Sequence, residues 1–199
     1  GHAFIWHSGT PDWIYEMDPD SAMLDKIMEE YILTYGKRYK GKVAGWDVVN
    51  EAIDTDEANN YRRTIWYRTI GPEYIDSAFV YAHRADPDAV LYYNDFSAEE
   101  MNEKSDAVYN LAKRLVQKDV PIHAIGLQAH FWLNGFSIDE IDENMDRIGE
   151  LGLQANFTEL DISIPMDEIS KETLQQQARD YAEVLELGLT NEHCNSYLI

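Results

Sequence analysis

The chain has 199 residues, 45% of them apolar and 12% aromatic, which is enough for one sizeable core and unlike a disordered segment. Thirty-seven acidic against 16 basic residues leave a net charge of −21, which excludes nucleic acid as a partner because a phosphate backbone requires a cationic face. No apolar run approaches the ~18 residues of a membrane span, and the single Cys194 excludes an intrachain disulfide.

Strand-like apolar runs alternate with longer segments of helical period. The first run, HAFIWH (2–7), places His2 and Trp6 on one face and His7 on the other. A helical stripe follows at Leu24, Ile27, Met28, Tyr31, Ile32 and Tyr35. The second run, VAGWDVVNE (43–51), ends in Asn50 and Glu51, a polar pair that a buried sheet would not choose for stability. Trp46 within it is expected in the core. A helix is predicted from about Tyr74 to Ala85, stopping before Pro87. The third run, AVLYYNDF (89–96), ends in Asn94 and Asp95, and a second stripe follows at Val108, Leu111, Ala112, Leu115 and Val116.

The fourth run, IHAIGLQAHF (122–131), carries Gln128 and His130 two apart, on one face of a regular strand. Ser137 and Glu140 have the spacing of a capping box for a helix through residue 150, which Gly152 would close. The fifth run, LQANFTELDISI (153–164), carries Glu159 and Asp161, again two apart. A last stripe at Leu174, Ala178, Tyr181, Ala182 and Leu185 precedes a closing strand, SYLI (196–199).

Six strands, nearly continuous in apolar character, with five helical stretches between them read as a βα series whose sheet is covered on both faces. No linker divides residues 1–199, so one domain is expected. A doubly wound sheet is the other candidate architecture, but no G-x-G-x-x-G follows a strand. Polar residues gather at the C-terminal ends of the strands, which in a barrel form one face and carry the chemistry. The chain opens inside one apolar run and closes inside another, the pattern expected of a piece of a longer protein. Such a piece cannot close an eight-stranded barrel. Taken alone, it is expected to show little activity and a tendency to aggregate.

Glu51 and Glu159 lie three strands apart in chain order, and strands three apart in an eight-stranded barrel face one another across its mouth. Two convergent carboxyl groups are the equipment of glycoside hydrolysis, one protonated to release the leaving oxygen and one ionised to attack. A single glutamate at a strand end is compatible with an ordinary surface position; two on opposed strands, each with polar neighbours, point to a site. His130 between carboxylates could orient one of them. Trp6, Trp13, Trp46 and Trp132 could stack on sugar rings, or simply fill the core. Zinc chemistry finds no H-E-x-x-H, a serine nucleophile finds no G-x-S-x-G, and no P-loop pattern occurs.

Taken in order, GHAFIWHSGTPDW, WDVVNEA, LYYNDF, IGLQAHF and TELDI resemble the signatures of glycoside hydrolase family 10, the (β/α)8 endo-β-1,4-xylanases. The resemblance implies an incomplete barrel, from the third strand to the start of the eighth. It implies that Glu51 is the acid/base and Glu159 the nucleophile, supported by His130 and Asp161. It further implies that Asn50 contacts the 2-hydroxyl of the sugar being cleaved, and that His2, Trp6 and Gln128 bind substrate. Xylan and xylo-oligosaccharides are the implied partners, with no cofactor or metal, and a secreted monomer is expected. Two positions depart from the family pattern: Gly9 stands where a substrate-binding glutamine is usual, and Phe96 where a tyrosine is usual. The alternatives are a related barrel glycosidase acting on another β-linked glucan, and a xylan-binding barrel with impaired catalysis.

Overall fold

The computed structural model describes residues 1–199, in which seven strands and seven α-helices alternate. In chain order they are β1 (Ile5–Trp6), α1 (Asp12–Met17), α2 (Ser21–Tyr39), β2 (Gly45–Asn50), α3 (Ile65–Ile70), α4 (Glu73–Ala85), β3 (Val90–Asp95) and α5 (Glu103–Gln117). There follow β4 (Ala124–Leu127), β5 (His130–Trp132), α6 (Ile138–Gly149), β6 (Gln154–Phe157), β7 (Asp161–Ser163) and α7 (Lys171–Thr190). A short 3-10 turn, Met166–Glu168, precedes α7.

Five strands form one parallel sheet in the order β1-β2-β3-β4-β6. Its sequential parallel order with helical crossovers is that of an arc of a (β/α)8 barrel. The helices cover its outer face: Leu24, Met28 and Ile32 of α2, Ile75 and Phe79 of α4, Leu111 and Leu115 of α5 and Ile141 and Met145 of α6 are buried. Trp46 is buried and stacks on Phe4 at 4.4 Å between ring centroids, as expected of a core indole.

Two predicted strands are each broken in two. The run 122–131 is interrupted at Ala129, whose φ of 61° cannot belong to a strand. The run 153–164 is interrupted at 158–160. The distal pieces, β5 and β7, leave the main sheet and pair with each other, His130 opposite Asp161 and Trp132 opposite Ser163. Alternation therefore does not relate Gln128 to His130 or Glu159 to Asp161; the chain turns between the members of each pair.

The ends of the series also differ from expectation. Only Ile5 and Trp6 of the first run are in a strand, and SYLI contributes one bridge, Tyr197 to Phe157. The short helices α1 and α3 were not visible as periodic stripes because each has only six residues. Ser137 caps α6 by accepting from Glu140 N, but its own N–H donates to Glu100 at 2.6 Å, so no reciprocal capping box closes there. The stripe of α7 is displaced: Val184 and Leu187 are buried, whereas Leu174 and Leu185 are exposed. Ala178, Tyr181, Ala182 and Leu185 instead line a groove with Tyr197 and Ile199.

Candidate active site

The inner face of the sheet carries one continuous row in register: Trp6, Asn50, Asn94, Gly126 and Asn156, on β1, β2, β3, β4 and β6. Three amides and a glycine in one row are unusual in a core, and Asn50, Asn94 and Gly126 interlock. Asn94 is fully buried, and its amide nitrogen donates to Asn50 Oδ1 at 2.9 Å and to Glu159 Oε1 at 2.7 Å. Its carbonyl accepts from Thr158 Oγ1 at 2.6 Å. The carbonyl occupies the space that a side chain at position 126 would need, since a Cβ on Gly126 would stand 2.2 Å from Asn94 Oδ1. Asn50 Nδ2 in turn donates to Glu51 Oε1 at 3.0 Å. Two carboxylates from distant parts of the chain are thus joined through two side-chain amides.

The strand β2 reaches this arrangement through a local irregularity. Its register against β3 shifts between Asp47 and Val49, so Val48 is the extra residue of a bulge. Asp47 and Asn50 are three apart and would face opposite sides of a regular strand. The extra residue lets both act on the inner face: Asp47 accepts from His2 at 2.9 Å while Asn50 meets Asn94. Glu51 follows directly in a left-handed conformation, φ 55°, which turns the chain out of the sheet.

The two glutamates have different surroundings. The Glu51 side chain is 13% exposed, against 32% for Glu159. Glu51 Oε1 accepts from Gln128 Nε2 at 3.2 Å as well as from Asn50, and His7 Nδ1 lies 3.6 Å from Oε2. Burial and the Arg62 guanidinium push the His7 pKa below its usual value, against the opposing charges of Glu51 and Asp54. Glu159 has two imidazoles within 4 Å: His2 Nδ1 at 3.8 Å from Oε1 and His130 Nε2 at 3.4 Å from Oε2. The His2 pKa is raised, first by its hydrogen bond to Asp47 and then by the nearby carboxylates of Asp47, Glu159 and Glu51. The other nitrogen of His130 is 2.8 Å from Asp161 Oδ2, a contact that follows from the β5–β7 register. A carboxylate at one ring nitrogen fixes the orientation of the other.

Trp6 lies against both neighbouring imidazoles, with centroids 6.1 Å from His2 and 5.6 Å from His7. Trp132, on β5 beyond His130, and Trp13 expose large parts of their indoles. All eight residues singled out in the sequence (His2, Trp6, Asn50, Glu51, Gln128, His130, Glu159 and Asp161) meet on this face. His7 is a correction: it joins the others instead of facing away, because the strand has already ended at Trp6. Asn94, Asp47 and Thr158 join the site without a sequence signal that marks them as part of it. Asn94 was visible as a polar strand end, but nothing in its spacing showed that it would touch a carboxylate.

No group of three or more His, Cys, Asp or Glu side chains stands in metal-holding geometry. An apolar pocket behind Trp6, lined also by Phe4, Ile14, Ile27, Tyr31 and Trp66, contains no acidic side chain. It offers nothing to a proton-transfer reaction.

The profile of Glycosyl hydrolase family 10 matches residues 1–199. The chain is 42% identical over 191 residues to endo-1,4-beta-xylanase B of Thermotoga neapolitana, covering 96% of this chain and 55% of that one. It is 39% identical to an endo-1,4-beta-xylanase of Geobacillus stearothermophilus, covering 94% and 60%. The crystal structure of xylanase 10B from Thermotoga petrophila in complex with xylobiose superposes with a TM-score of 0.94 at 41% identity, covering 99% of this chain and 60% of that one. The chain thus spans less than two thirds of the length of these relatives.

Proposed function

Given that the chain belongs to glycosyl hydrolase family 10, we propose that the protein containing it hydrolyses internal β-1,4-xylosidic bonds of xylan with retention of anomeric configuration. One observation carries the reading: Glu51 and Glu159, three strands apart in the sheet, are tied to one point through Asn50 and Asn94. In the first step Glu51 gives its proton to the departing glycosidic oxygen while Glu159 attacks the anomeric carbon, forming a glycosyl-enzyme ester. In the second, Glu51, now ionised, takes a proton from water, whose oxygen displaces Glu159 from the same carbon. Two inversions give net retention.

The surroundings support this division of roles. The attacking carboxylate must be ionised, and Glu159 has His2 and His130 beside it. The proton donor is served by enclosure, and Glu51 is the less exposed of the two. His130 and Asp161 hold Glu159, while Gln128 and Asn50 hold Glu51. His2, Trp6 and the amide of Asn50 bind the sugar at the centre. We further propose that the protein works as a monomer, because every group in the reaction comes from one chain. Secretion is proposed because xylan is a polymer that cells meet outside.

The test is product analysis with the intact protein. Xylo-oligosaccharides should be released from xylan, and NMR should find the β anomer first. Glu159→Gln should abolish release. Undiminished turnover by that variant, or early α product, would overturn the reading. Preferential release of cello-oligosaccharides would favour a β-glucan-cleaving enzyme instead.

A further inference from the structure

Glu51 is a non-glycine residue in the left-handed region, a conformation that costs about 1–2 kcal/mol and that surrounding structure must enforce. Every backbone N–H and C=O of residues 51–53 is held by a hydrogen bond. Glu51 N–H donates to Asn94 O at 2.9 Å, and Glu51 C=O accepts from Arg62 Nε at 2.9 Å. Ala52 C=O accepts from Arg62 N at 2.8 Å. The remaining three groups are held by buried side chains on the outer face of the sheet. Ala52 N–H and Ile53 N–H both donate to the Tyr93 hydroxyl at 3.0 Å, and Ile53 C=O accepts from Lys104 Nζ at 2.6 Å.

Tyr93 and Lys104 are fixed through one further residue. The Tyr93 hydroxyl donates its proton to Asp95 Oδ2, and Lys104 Nζ lies 2.9 Å from Asp95 Oδ1. Asp95 Oδ1 also accepts from Phe96 N. Tyr93 and Asp95 are fully buried, and the Lys104 side chain is 11% exposed. Tyr93 and Asp95 are two apart on β3 and so share its outer face, while Asn94 between them reaches the inner one. None of the three has a hydrogen bond to the Glu51 carboxyl. A buried ion pair of this kind contributes little net stability. Its effect here is to fix a geometry.

We propose that Tyr93, Asp95 and Lys104 are positioning residues that set the direction of the Glu51 carboxyl by clamping the backbone of residues 51–53 from behind the sheet. The proposal rests on the reading of Glu51 as acid/base. It differs from a general stabilising role in one measurable way: it affects proton transfer and leaves attack by Glu159 alone.

Leaving groups separate the two. A dinitrophenyl xylobioside departs without protonation, whereas an unactivated xylo-oligosaccharide needs the acid. In the intact protein, Tyr93→Phe keeps the buried ring and removes only the hydroxyl. It should lower kcat/KM on xylotetraose about 10- to 100-fold, the scale of a misplaced catalytic group. On the dinitrophenyl substrate, kcat/KM should stay within about threefold, while kcat and KM fall together because the water-activating step slows. Lys104→Met should show the same split and Lys104→Arg should restore most of it, so a poorly folded Tyr93→Phe would not leave the idea untested. Equal losses on both substrates in folded Tyr93→Phe or Lys104→Met, or no loss on either, would overturn the positioning role. Glu51→Ala is the reference. If it lacks the leaving-group dependence, the acid/base reading itself fails; if it shows the dependence and the clamp variants do not, only the clamp is refuted.

Discussion

Asn94 donates a 2.7 Å hydrogen bond to Oε1 of Glu159, from a strand two places away in the sheet. Its second amide hydrogen goes to Asn50. Hydrogen bonds to a charged group are worth about 1.5–3 kcal/mol, so Asn94→Ala should lower kcat/KM on xylan about 10- to 100-fold. Asn94→Asp should be worse, because it sets a second carboxylate against Glu159. Steady-state kinetics with circular dichroism as the folding check decide this; a rate unchanged in Asn94→Asp would show that the contact does not matter.

Gly126 is required by the same amide. A Cβ at this position would stand 2.2 Å from Asn94 Oδ1 and 2.9 Å from Thr158 Cγ2. Gly126→Ala is therefore expected to displace Asn94 and to act like Asn94→Ala on the rate, with a stability loss of about 1–3 kcal/mol from overpacking. Kinetics and urea unfolding measure the two effects. A fully active Gly126→Ala would mean that the row tolerates a shift.

His2 should be protonated to higher pH than an ordinary histidine, chiefly through Asp47. For a raised pKa, the stability gained from the pairing is complete below the ordinary value and is lost as pH rises through the raised one. Asp47→Asn removes the first cause and should move the His2 titration to lower pH. NMR of the imidazole resonances follows it directly, and an unmoved titration would show that Asp47 is not the controlling partner.

Glu99 is buried beside the break at Ala129. Its carboxylate accepts from Ala129 N–H at 2.8 Å. Burial pushes its pKa up to about 7, with Asp95 adding to the effect and Ala129 N–H and His130 opposing it. The folded state therefore holds a proton that the unfolded state releases near 4.5. The resulting stability is complete below that value and lost as pH rises through about 7. Glu99→Gln can keep the bond to Ala129 without the charge. It should flatten the fall in stability between pH 5 and 8, a difference on the order of 2–3 kcal/mol at the alkaline end. Urea unfolding at the two pH values reads it, and parallel curves for wild type and variant would contradict it.

The alternation of apolar runs with helical stripes was legible from composition and period alone, and so was the gathering of polar residues at strand ends. Both are local: a strand end announces itself because Asn50-Glu51 or Asn94-Asp95 interrupts a run that burial would keep apolar. The resemblance then supplied roles for eight residues, and these meet on one face. The gaps arose where local rules stopped applying. Ala129 turns the chain and sends His130 into a separate pair of strands, which residue alternation cannot anticipate. Val48 bulges, and Asp47 thereby joins a face that a period of two denies it.

The sequence by itself determined the alternation of apolar runs with helical stripes and the residue types at each strand end, because these follow from periodicity and from the cost of burying polar groups. Only the tertiary structure decided which polar groups touch. That depends on register between strands far apart in the chain, which sets Asn94 beside both Asn50 and Gly126. Glu51 shows the division most plainly: its place at the end of a strand is written in WDVVNE, but its left-handed turn is held by Tyr93, Asp95 and Lys104, which lie 42, 44 and 53 positions further along.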